Sequence, residues 1–395
     1  MSKAANGNVL VLGDDIRIFL AVVRALGRAG KNVHAVCFDD RSPALKSKYV
    51  SKVHMLPNYS VDSNAWLQSL LHILQQNNID LLIPCTDPWI IMLNMHRREL
   101  NGFNLAIPNP VEMEDLFDKE LTHELCKTLG VATVKARRLR QSDNQNSLIG
   151  EFGLPLVIKP RRSYWLDQLD TWGRVYIVET APELQDVLMS IKDHDRYLVE
   201  SYFEGQGCGI SILAEDGDIL QAFQHRRLRE GRGGSSSYRI SESLRAGMLK
   251  DCEKISIQMK HTGVCMFEFR INDAHKKWVL LEINARFWGS MALPLSLGLD
   301  FPNLLYDLLV NGQRRPQKAY KAGIRSRNIF LDGWNLLSQL KRMRPNRILP
   351  WLAGITDFCL QPVRWIAGLE YTDSFVLDDP KPALYEILSV LKLQK

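Results

Sequence analysis

The sequence has 395 residues, of which 46% are hydrophobic and 24% charged, a globular composition that is too long for a single typical domain. Its seven cysteines are scattered without a Cys-x-x-Cys pair, which argues against a disulfide framework or a structural zinc site and favours a reducing cytoplasm. The net charge of +6 is uneven, because residues 314–347 hold ten basic residues and one acid. The rest of the chain is not basic, so no nucleic-acid partner is expected.

Neither end of the chain has the composition of a membrane anchor. The first apolar run, Val9 to Leu12, is too short for a secretory signal and has the length of a buried strand. The most hydrophobic later region, Ile348 to Leu369, is interrupted by Asp357 and Arg364 and falls short of a spanning helix. We therefore expect a cytoplasmic protein.

The first hundred residues alternate between strand-like and helix-like patterns, which predicts a doubly wound parallel sheet. The turn after the first strand, Leu12 to Asp15, has one glycine where a dinucleotide fingerprint needs three, so we expect a Rossmann-like scaffold without a nicotinamide site. The predicted elements are strands at Val9–Leu12, Val33–Phe38 and Asp80–Pro84, and helices at Ile16–Ala29 and Trp66–Gln76.

A mixture of helices and strands follows and predicts two α+β units. The first has helices at Leu116–Leu129 and Pro182–Ser190 and strands at Leu156–Lys159, Val175–Val178 and Tyr197–Glu200. The second has strands at Gly209–Leu213, Ile219–Gln224, Val264–Arg270 and Val279–Asn284 and a helix at Leu304–Val310. We predict domains at 1–113, 114–198, 199–312 and 313–395, the last being a helical extension with a final helix at Ala383–Leu393.

Acidic side chains mark a predicted hairpin in the third of these domains. Side chains alternate along a strand, so Glu282, Asn284 and Arg286 share one face. If residues 272–277 form the turn, Glu268 lies opposite Glu282, and two adjacent acids favour a bound cation. Two carboxylates and an amide suit Mg²⁺; the alternative is an ordinary solvent-facing ladder of charged residues.

Two further strand ends carry charged residues. The apolar strand Leu156–Lys159 ends in Lys159, just before Pro160, and this lysine can present a compact charge to a phosphate. The strand ending at Glu200 leads into Ser201, Tyr202 and Phe203, which can present backbone groups to an adenine edge. The alternatives are a solvated lysine and a simple crossing between domains.

The order of these motifs resembles the ATP-grasp superfamily, and in style the carbamoyl-phosphate synthetase-like carboxylate-amine ligases. The motifs are Asp118-Lys119, Val-Ile-Lys-Pro, Leu-Val-Glu-Ser-Tyr-Phe-Glu-Gly, Phe-Glu-Phe-Arg and Leu-Glu-Ile-Asn-Ala-Arg-Phe-Trp-Gly-Ser. The resemblance is good from about 114 to 312, loose from 8 to 113 and absent after 313. It implies a fold of two α+β subdomains that hold ATP between them.

The resemblance also implies residue roles. Lys119 and Lys159 would bind nucleotide phosphates, and Glu200, Ser201, Tyr202 and Phe203 would form the adenine hinge. Glu268, Glu282 and Asn284 would bind Mg²⁺, with Mn²⁺ as an alternative, and Arg286 would contact the transferring phosphoryl group.

Between the hinge and the acidic hairpin lies a basic stretch with a Gly/Ser-rich turn, residues 224–239. Related ligases place substrate-binding residues here, so Arg226, Arg227 and Ser235 are candidate substrate contacts, and His225 joins Arg286 as a catalytic candidate. A solvated basic loop is the alternative.

These patterns predict a ligase that uses ATP to convert a small carboxylate into an acyl phosphate and joins it to an amine. The rival functions are a carboxylase that uses bicarbonate and a nucleotide-binding module without turnover. The basic residues 314–347, followed by Trp351 and Trp365, resemble a contact for a membrane surface or an acidic partner. The alternative, favoured by the final helix pattern, is that the tryptophans pack this region onto the rest of the chain.

Overall fold

The computed structural model describes residues 7–169, 173–230, 236–340 and 348–392. The strands, in chain order, are β1 (Asn8–Leu12), β2 (Asn32–Val36), β3 (Val50–His54), β4 (Leu81–Pro84), β5 (Ala136–Arg138), β6 (Leu156–Pro160), β7 (Tyr176–Val178), β8 (Tyr197–Ser201), β9 (Gln206–Glu215), β10 (Asp218–Glu230), β11 (Ser236–Glu242), β12 (Gly263–Asn272), β13 (Lys277–Asn284), β14 (Arg325–Arg327) and β15 (Glu370–Thr372).

The α-helices are α1 (Ile18–Arg28), α2 (Ser63–Gln76), α3 (Asp87–Met95), α4 (Pro110–Asp115), α5 (Lys119–Thr128), α6 (Gln145–Phe152), α7 (Ala181–Ser190), α8 (Ala246–Met259), α9 (Ala292–Ser296), α10 (Phe301–Asn311), α11 (Ile329–Leu340), α12 (Ile348–Cys359), α13 (Gln361–Ile366) and α14 (Lys381–Lys392), and two 3-10 helices lie at Pro43–Lys46 and His194–Arg196.

The chain divides into two compact units. The first unit consists of Met1–Ile107, Phe223–Ser243 and Phe287–Lys395, and the second unit consists of Pro108–Ala222 and Leu244–Arg286.

A parallel four-stranded sheet in the order β3-β2-β1-β4 opens the first unit, and it confirms the predicted doubly wound alternation. Every residue of β4 is buried, and so are Phe19 to Leu26 of α1, which explains why their apolar patterns were readable. β3 was not predicted, because each of its side chains is at least partly exposed and its residues form no apolar run.

The turn between β1 and α1 is closely packed around Gly13 and capped by Asp15. Gly13 has φ +153°, and a Cβ there would lie 3.1 Å from the Cβ atom of Cys85. The Asp15 carboxylate accepts hydrogen bonds from the backbone N–H groups of Arg17, Ile18 and Phe19. A side-chain carboxylate of the chain itself therefore caps the start of α1.

The rest of the first unit contains strands that the sequence did not indicate. From Gln224 to Glu230, β10 pairs antiparallel with β11, which pairs antiparallel with β14, which in turn pairs parallel with β15. The alternative of a solvated basic loop is therefore wrong for residues 224–230, because ladder pairing continues through the arginines with a bulge near Arg229. Ser235 lies outside the described residues.

Charged residues of the C-terminal region are partly internal rather than solvated. Arg327 has no exposed surface and contacts Asp332, Asp357 and Glu370 at 2.6, 2.9 and 2.7 Å. Its guanidinium also lies 3.7 Å from the centre of the Tyr238 ring. The basic residues at 341, 342, 344 and 347 lie outside the described residues. The ion pairs of Arg327 therefore say nothing about those four side chains.

Two aromatic residues of this region pack within the first unit. The Trp351 indole donates to the carbonyl of Leu336 at 2.9 Å, and the Trp365 ring packs edge-on against Phe375. No helix within the described part of the chain has the length and apolarity needed to cross a membrane.

The second unit contains two α+β subdomains, each with its own apolar core. In one subdomain, four strands in the order β5-β8-β6-β7 form an antiparallel sheet. The core of this subdomain includes Leu148, Leu156 and Val199. In the other subdomain β12 lies between β9 and β13, with Phe267 and Ile283 in the core. The predicted strands are confirmed, although the ladder of β6 includes Pro160, which pairs with Tyr197, rather than ending before it.

Candidate active site

The acidic hairpin has the predicted register. Glu268 lies directly opposite Glu282, and Met266 lies opposite Asn284, so the two carboxylates and the amide share one face. The pairing then shifts, because Phe269 faces Leu280 and leaves Leu281 as an extra residue of β13. This bulge frees the Leu281 carbonyl, which accepts a hydrogen bond from the Lys159 ammonium at 3.2 Å.

Two buried lysines meet this hairpin from different elements. Lys119 is the first residue of α5, and its ammonium lies 3.6 Å from Glu282 and 3.1 Å from the Ser163 hydroxyl. Lys159 lies near the end of β6, and its ammonium is 2.9 Å from a Glu200 carboxylate oxygen. Both predicted phosphate-binding lysines therefore lie at the same cluster of carboxylates.

The carboxylates of this cluster are held in their charged form. Burial raises the pKa of Glu282, but Lys119, Lys159 and Arg286 lower it by more, and the net pKa lies below its ordinary value. Burial likewise raises the pKa of Glu200, and Lys159 and His123 reverse that effect. Charged oxygen atoms are thus available for cations in this part of the second unit.

His123 is a site residue that the sequence patterns did not indicate. Its Nε2 atom lies 2.7 Å from Glu200, and its Nδ1 atom lies 2.5 Å from the Thr133 hydroxyl. His123 follows Lys119 by four residues and therefore shares its helix face, a spacing that could have revealed it. The Glu200 carboxylate, which is 3% exposed, is consequently bound between His123 and Lys159.

Arg286 follows the end of β13 and reaches back to it. Its guanidinium donates to the Asn284 side-chain oxygen at 3.1 Å, and its backbone N–H donates to the Asn284 carbonyl at 2.8 Å. The predicted neighbours Arg286, Asn284 and Glu282 therefore lie together, although Arg286 itself is outside the strand.

The basic residues of β10 lie on both faces of the strand. His225 and Arg227 lie on one face of the strand and Arg226 on the other, because side chains alternate. Arg226 makes an ion pair with Glu242 at 2.7 Å. Arg226 thus has an acidic partner in β11, and the roles of Arg226 and Arg227 as substrate contacts stay predictions.

The predicted hinge follows β8 directly. Ser201 ends the strand, Tyr202 and Phe203 are half-buried, and the turn closes at Gly205. A Cβ on Gly205 would lie 2.4 Å from the backbone oxygen of Ile271, so only glycine fits there. Arg270 also donates to the Gly205 carbonyl at 2.7 Å, which ties the hinge to the end of β12.

We expect Gly205→Ala to move this hinge, because backbone atoms of β12 cannot yield as a flexible side chain would. The free energy of unfolding should fall by about 1–3 kcal/mol, and nucleotide affinity should fall with it. Chemical denaturation and titration with MgADP measure both. Gly150→Ala in α6 is the matched control: a Cβ at that residue meets nothing within 4 Å, so no loss is expected. Equal behaviour of the two variants would contradict the hinge interpretation.

The hairpin donors fit a hard divalent cation. Their set consists of two carboxylates and one amide oxygen, the ligand types that Mg²⁺ prefers, and the neighbouring lysines show that the face attracts positive charge. Within the described ranges no group of three or more His, Cys, Asp or Glu residues lies in metal-binding proximity. All seven cysteines are free, and six of them are buried.

Residues 193–329 match a family model described as ATP-grasp in the biosynthetic pathway with Ter operon. A search of curated protein sequences gave no match.

Solved structures with this architecture include the L-amino acid ligase from Bacillus licheniformis, at 18% identity and a TM-score of 0.58, with 79% of this chain and 78% of that chain covered. The ADP complex of N5-carboxyaminoimidazole synthetase from Staphylococcus aureus has 16% identity and a TM-score of 0.61, with 79% of each chain covered. The biotin carboxylase domain of 2-oxoglutarate carboxylase from Hydrogenobacter thermophilus, in complex with MgADP and bicarbonate, has 16% identity and a TM-score of 0.61, with 80% of this chain and 73% of that chain covered.

Proposed function

Because the chain has the ATP-grasp fold, we propose that it is a Mg-ATP-dependent ligase that joins a small carboxylate to an amine and releases ADP and phosphate. The observation that carries this proposal is the meeting of Lys119 and Lys159 with the carboxylates of Glu282 and Glu200 in the second unit. Such a cluster offers both the cations that hold nucleotide phosphates and the oxygen ligands that hold their metal.

In this proposal the two lysines bind the phosphates of ATP. Their ammonium groups now neutralise Glu282 and Glu200, and phosphate oxygens and a metal ion together would replace those contacts without leaving a charge unpaired. Tyr202 and Phe203 follow β8 and would supply backbone groups and ring edges to the adenine. The ADP complex of the Staphylococcus aureus enzyme supports nucleotide binding by this fold.

Glu268, Glu282 and Asn284 would hold Mg²⁺, or Mn²⁺ in its place. A bound Mg²⁺ neutralises charge on the phosphate oxygens. This chain's own residues keep Glu282 ionised through the nearby lysines, and they orient Asn284 through its hydrogen bond from Arg286. Arg286 is thereby placed beside the predicted metal ligands, where its guanidinium can bind a phosphoryl oxygen.

The proposed reaction has two steps. A substrate carboxylate oxygen attacks the γ-phosphorus, the bond to the β-phosphate oxygen breaks, and ADP leaves. The amine nitrogen then attacks the acyl carbon, loses a proton, and displaces phosphate as the carbon–oxygen bond breaks. No covalent protein nucleophile takes part, because positioning and charge neutralisation supply most phosphoryl-transfer catalysis.

A second candidate uses bicarbonate as the acid that is phosphorylated. It is favoured by the similarity to a biotin carboxylase domain whose structure contains bicarbonate. The site residues would keep the same roles, and only the acceptor would differ.

We expect the purified protein to form ADP and phosphate when it receives ATP, Mg²⁺, a suitable acid and an amine. Hydroxylamine added in place of the amine should trap the acyl phosphate as a hydroxamate, which iron(III) detects by colour. The control omits the acid from the same mixture.

The nucleotide product separates the candidate functions. AMP and pyrophosphate would overturn the proposed chemistry in favour of adenylation. Phosphate release that requires bicarbonate alone would favour the carboxylase, and tight MgADP binding with no turnover across a broad panel of acids would favour a binding module.

A further inference from the structure

Arg17 lies just before α1 in the first unit, and none of the described carboxylates lies within ion-pair distance of it. Its Nε atom has no hydrogen-bond partner, and one terminal nitrogen lies 3.5 Å from the Ser236 carbonyl oxygen. Asp15 is only two residues away, but its carboxylate caps the backbone N–H groups at the start of the helix. A partly desolvated cation without a direct ion pair is costly, so this guanidinium is suited to an external anion.

Gly289 provides the space that the Arg17 guanidinium occupies. A Cβ on Gly289 would lie 2.4 Å from a terminal nitrogen of Arg17 and 2.8 Å from its Cζ atom. The next residue, Ser290, has its hydroxyl 3.3 Å from the Nε2 atom of His225. The consecutive residues Gly289 and Ser290 therefore bring Arg17 and His225 to the same short segment.

His225 supplies a second unused polar group. Its ring is 1% exposed, and its Nδ1 atom is buried without a hydrogen-bond partner. Burial, together with Arg227 and Arg239, lowers the pKa of His225 well below its usual value, so the ring is neutral. A neutral imidazole that packs on the same short segment as a guanidinium can add a hydrogen bond to a bound anion without adding charge.

The other cations of this neighbourhood already have acidic partners. Arg239 forms a buried ion pair with Asp373, and Arg227 lies 4.0 Å from Glu230. Arg239 also donates to the Ser236 carbonyl at 3.2 Å, the same oxygen that Arg17 approaches. Asp373 and Asp15 attract Arg17 only from a distance, whereas Arg239 and Arg227 repel it. A guanidinium fork without a direct ion pair suits the two oxygens of a carboxylate.

We propose that Arg17 and His225 bind a carboxylate group of the substrate, in a site whose shape depends on Gly289. This inference rests on the proposed function, because it assigns the acid's binding site in the first unit. The planar guanidinium fork matches the two oxygens of a carboxylate, and the His225 ring contributes one further hydrogen bond.

The test is isothermal titration of the full-length protein, saturated with MgADP, with acetate, L-alanine, succinate and inorganic phosphate. At least one of the three carboxylates should bind the wild-type protein, and Arg17→Gln should weaken its binding by at least about tenfold. Gly289→Ala should weaken binding as well, because the new methyl group displaces the guanidinium. Gly289→Ala should add little in the Arg17→Gln background, since both changes act on one group.

Arg41→Gln is the matched control. It removes the same charge from the first unit, at a side chain that is 86% exposed. Failure of all three carboxylates to bind, preferential binding of phosphate, or equal affinity for wild type and Arg17→Gln would each overturn the inference. MgADP is titrated separately. If the wild-type protein does not bind MgADP, the proposed function is contradicted. Carboxylate binding that depends on Arg17 would still support this site in that case.

Discussion

Glu282→Gln is expected to lower turnover by roughly a thousandfold, the effect of losing several kcal/mol of charge stabilisation at a metal site. The substitution keeps the shape of the side chain and removes its charge from the face where Glu268 and Lys119 meet it. The fold should survive, because the apolar side of β13, with Leu280 and Ile283, is unchanged. Asn284→Ala should behave in the same direction. Initial rates of phosphate release over a range of Mg²⁺ concentrations measure the effect.

The matched control for this substitution is Glu253→Gln on α8, an exposed glutamate of the same unit. It should keep wild-type activity and an unchanged Mg²⁺ requirement. Normal turnover and normal Mg²⁺ dependence in Glu282→Gln would remove the metal assignment.

Lys159→Met is expected to destabilise the second unit and to abolish nucleotide binding. Lys159 and Glu200 form a buried ion pair at 2.9 Å, and removing one partner leaves a buried charge. Such changes cost about 3–5 kcal/mol, and we expect about 3 kcal/mol because His123 stays in contact with Glu200. Denaturant unfolding measures the loss of stability, and titration with MgADP measures binding.

The double variant Lys159→Met/Glu200→Gln separates the two roles of the lysine. It removes both charges, so much of the lost stability should return while MgADP binding remains absent. Recovery of nucleotide binding in the double variant would show that Lys159 acts only through the fold and not on the phosphates.

Short-range patterns were enough to predict the acidic hairpin and the parallel sheet. Alternation along β13 placed Glu282 and Asn284 on one face, and a short turn after β12 fixed Glu268 opposite Glu282. The apolar runs Val9–Leu12 of β1 and Leu81–Pro84 of β4 were equally readable, because every residue of these runs is buried. These features depend on neighbours in the sequence.

The basic stretch after the hinge shows where sequence patterns failed. Its arginines suggested an anion pocket or a solvated loop, yet residues 224–230 continue β10, because β11 pairs with them. Arg226 then faces Glu242, away from His225 and Arg227. A strand whose charged side chains form ion pairs with a neighbouring strand lacks the alternation of apolar and polar residues by which strands are predicted from sequence.

Sequence alone thus determined the strand-helix order, the order of motifs that resembles the ATP-grasp superfamily, and the hairpin register. Tertiary structure decided which distant side chains meet: His123, Lys159 and Glu200 come from α5, β6 and β8, and Arg17 comes to rest beside Gly289. The physical reason is that hydrogen-bonded periodicity is local and leaves a signature in residue spacing, whereas the pairing of buried charges depends on how elements far apart in the chain pack together.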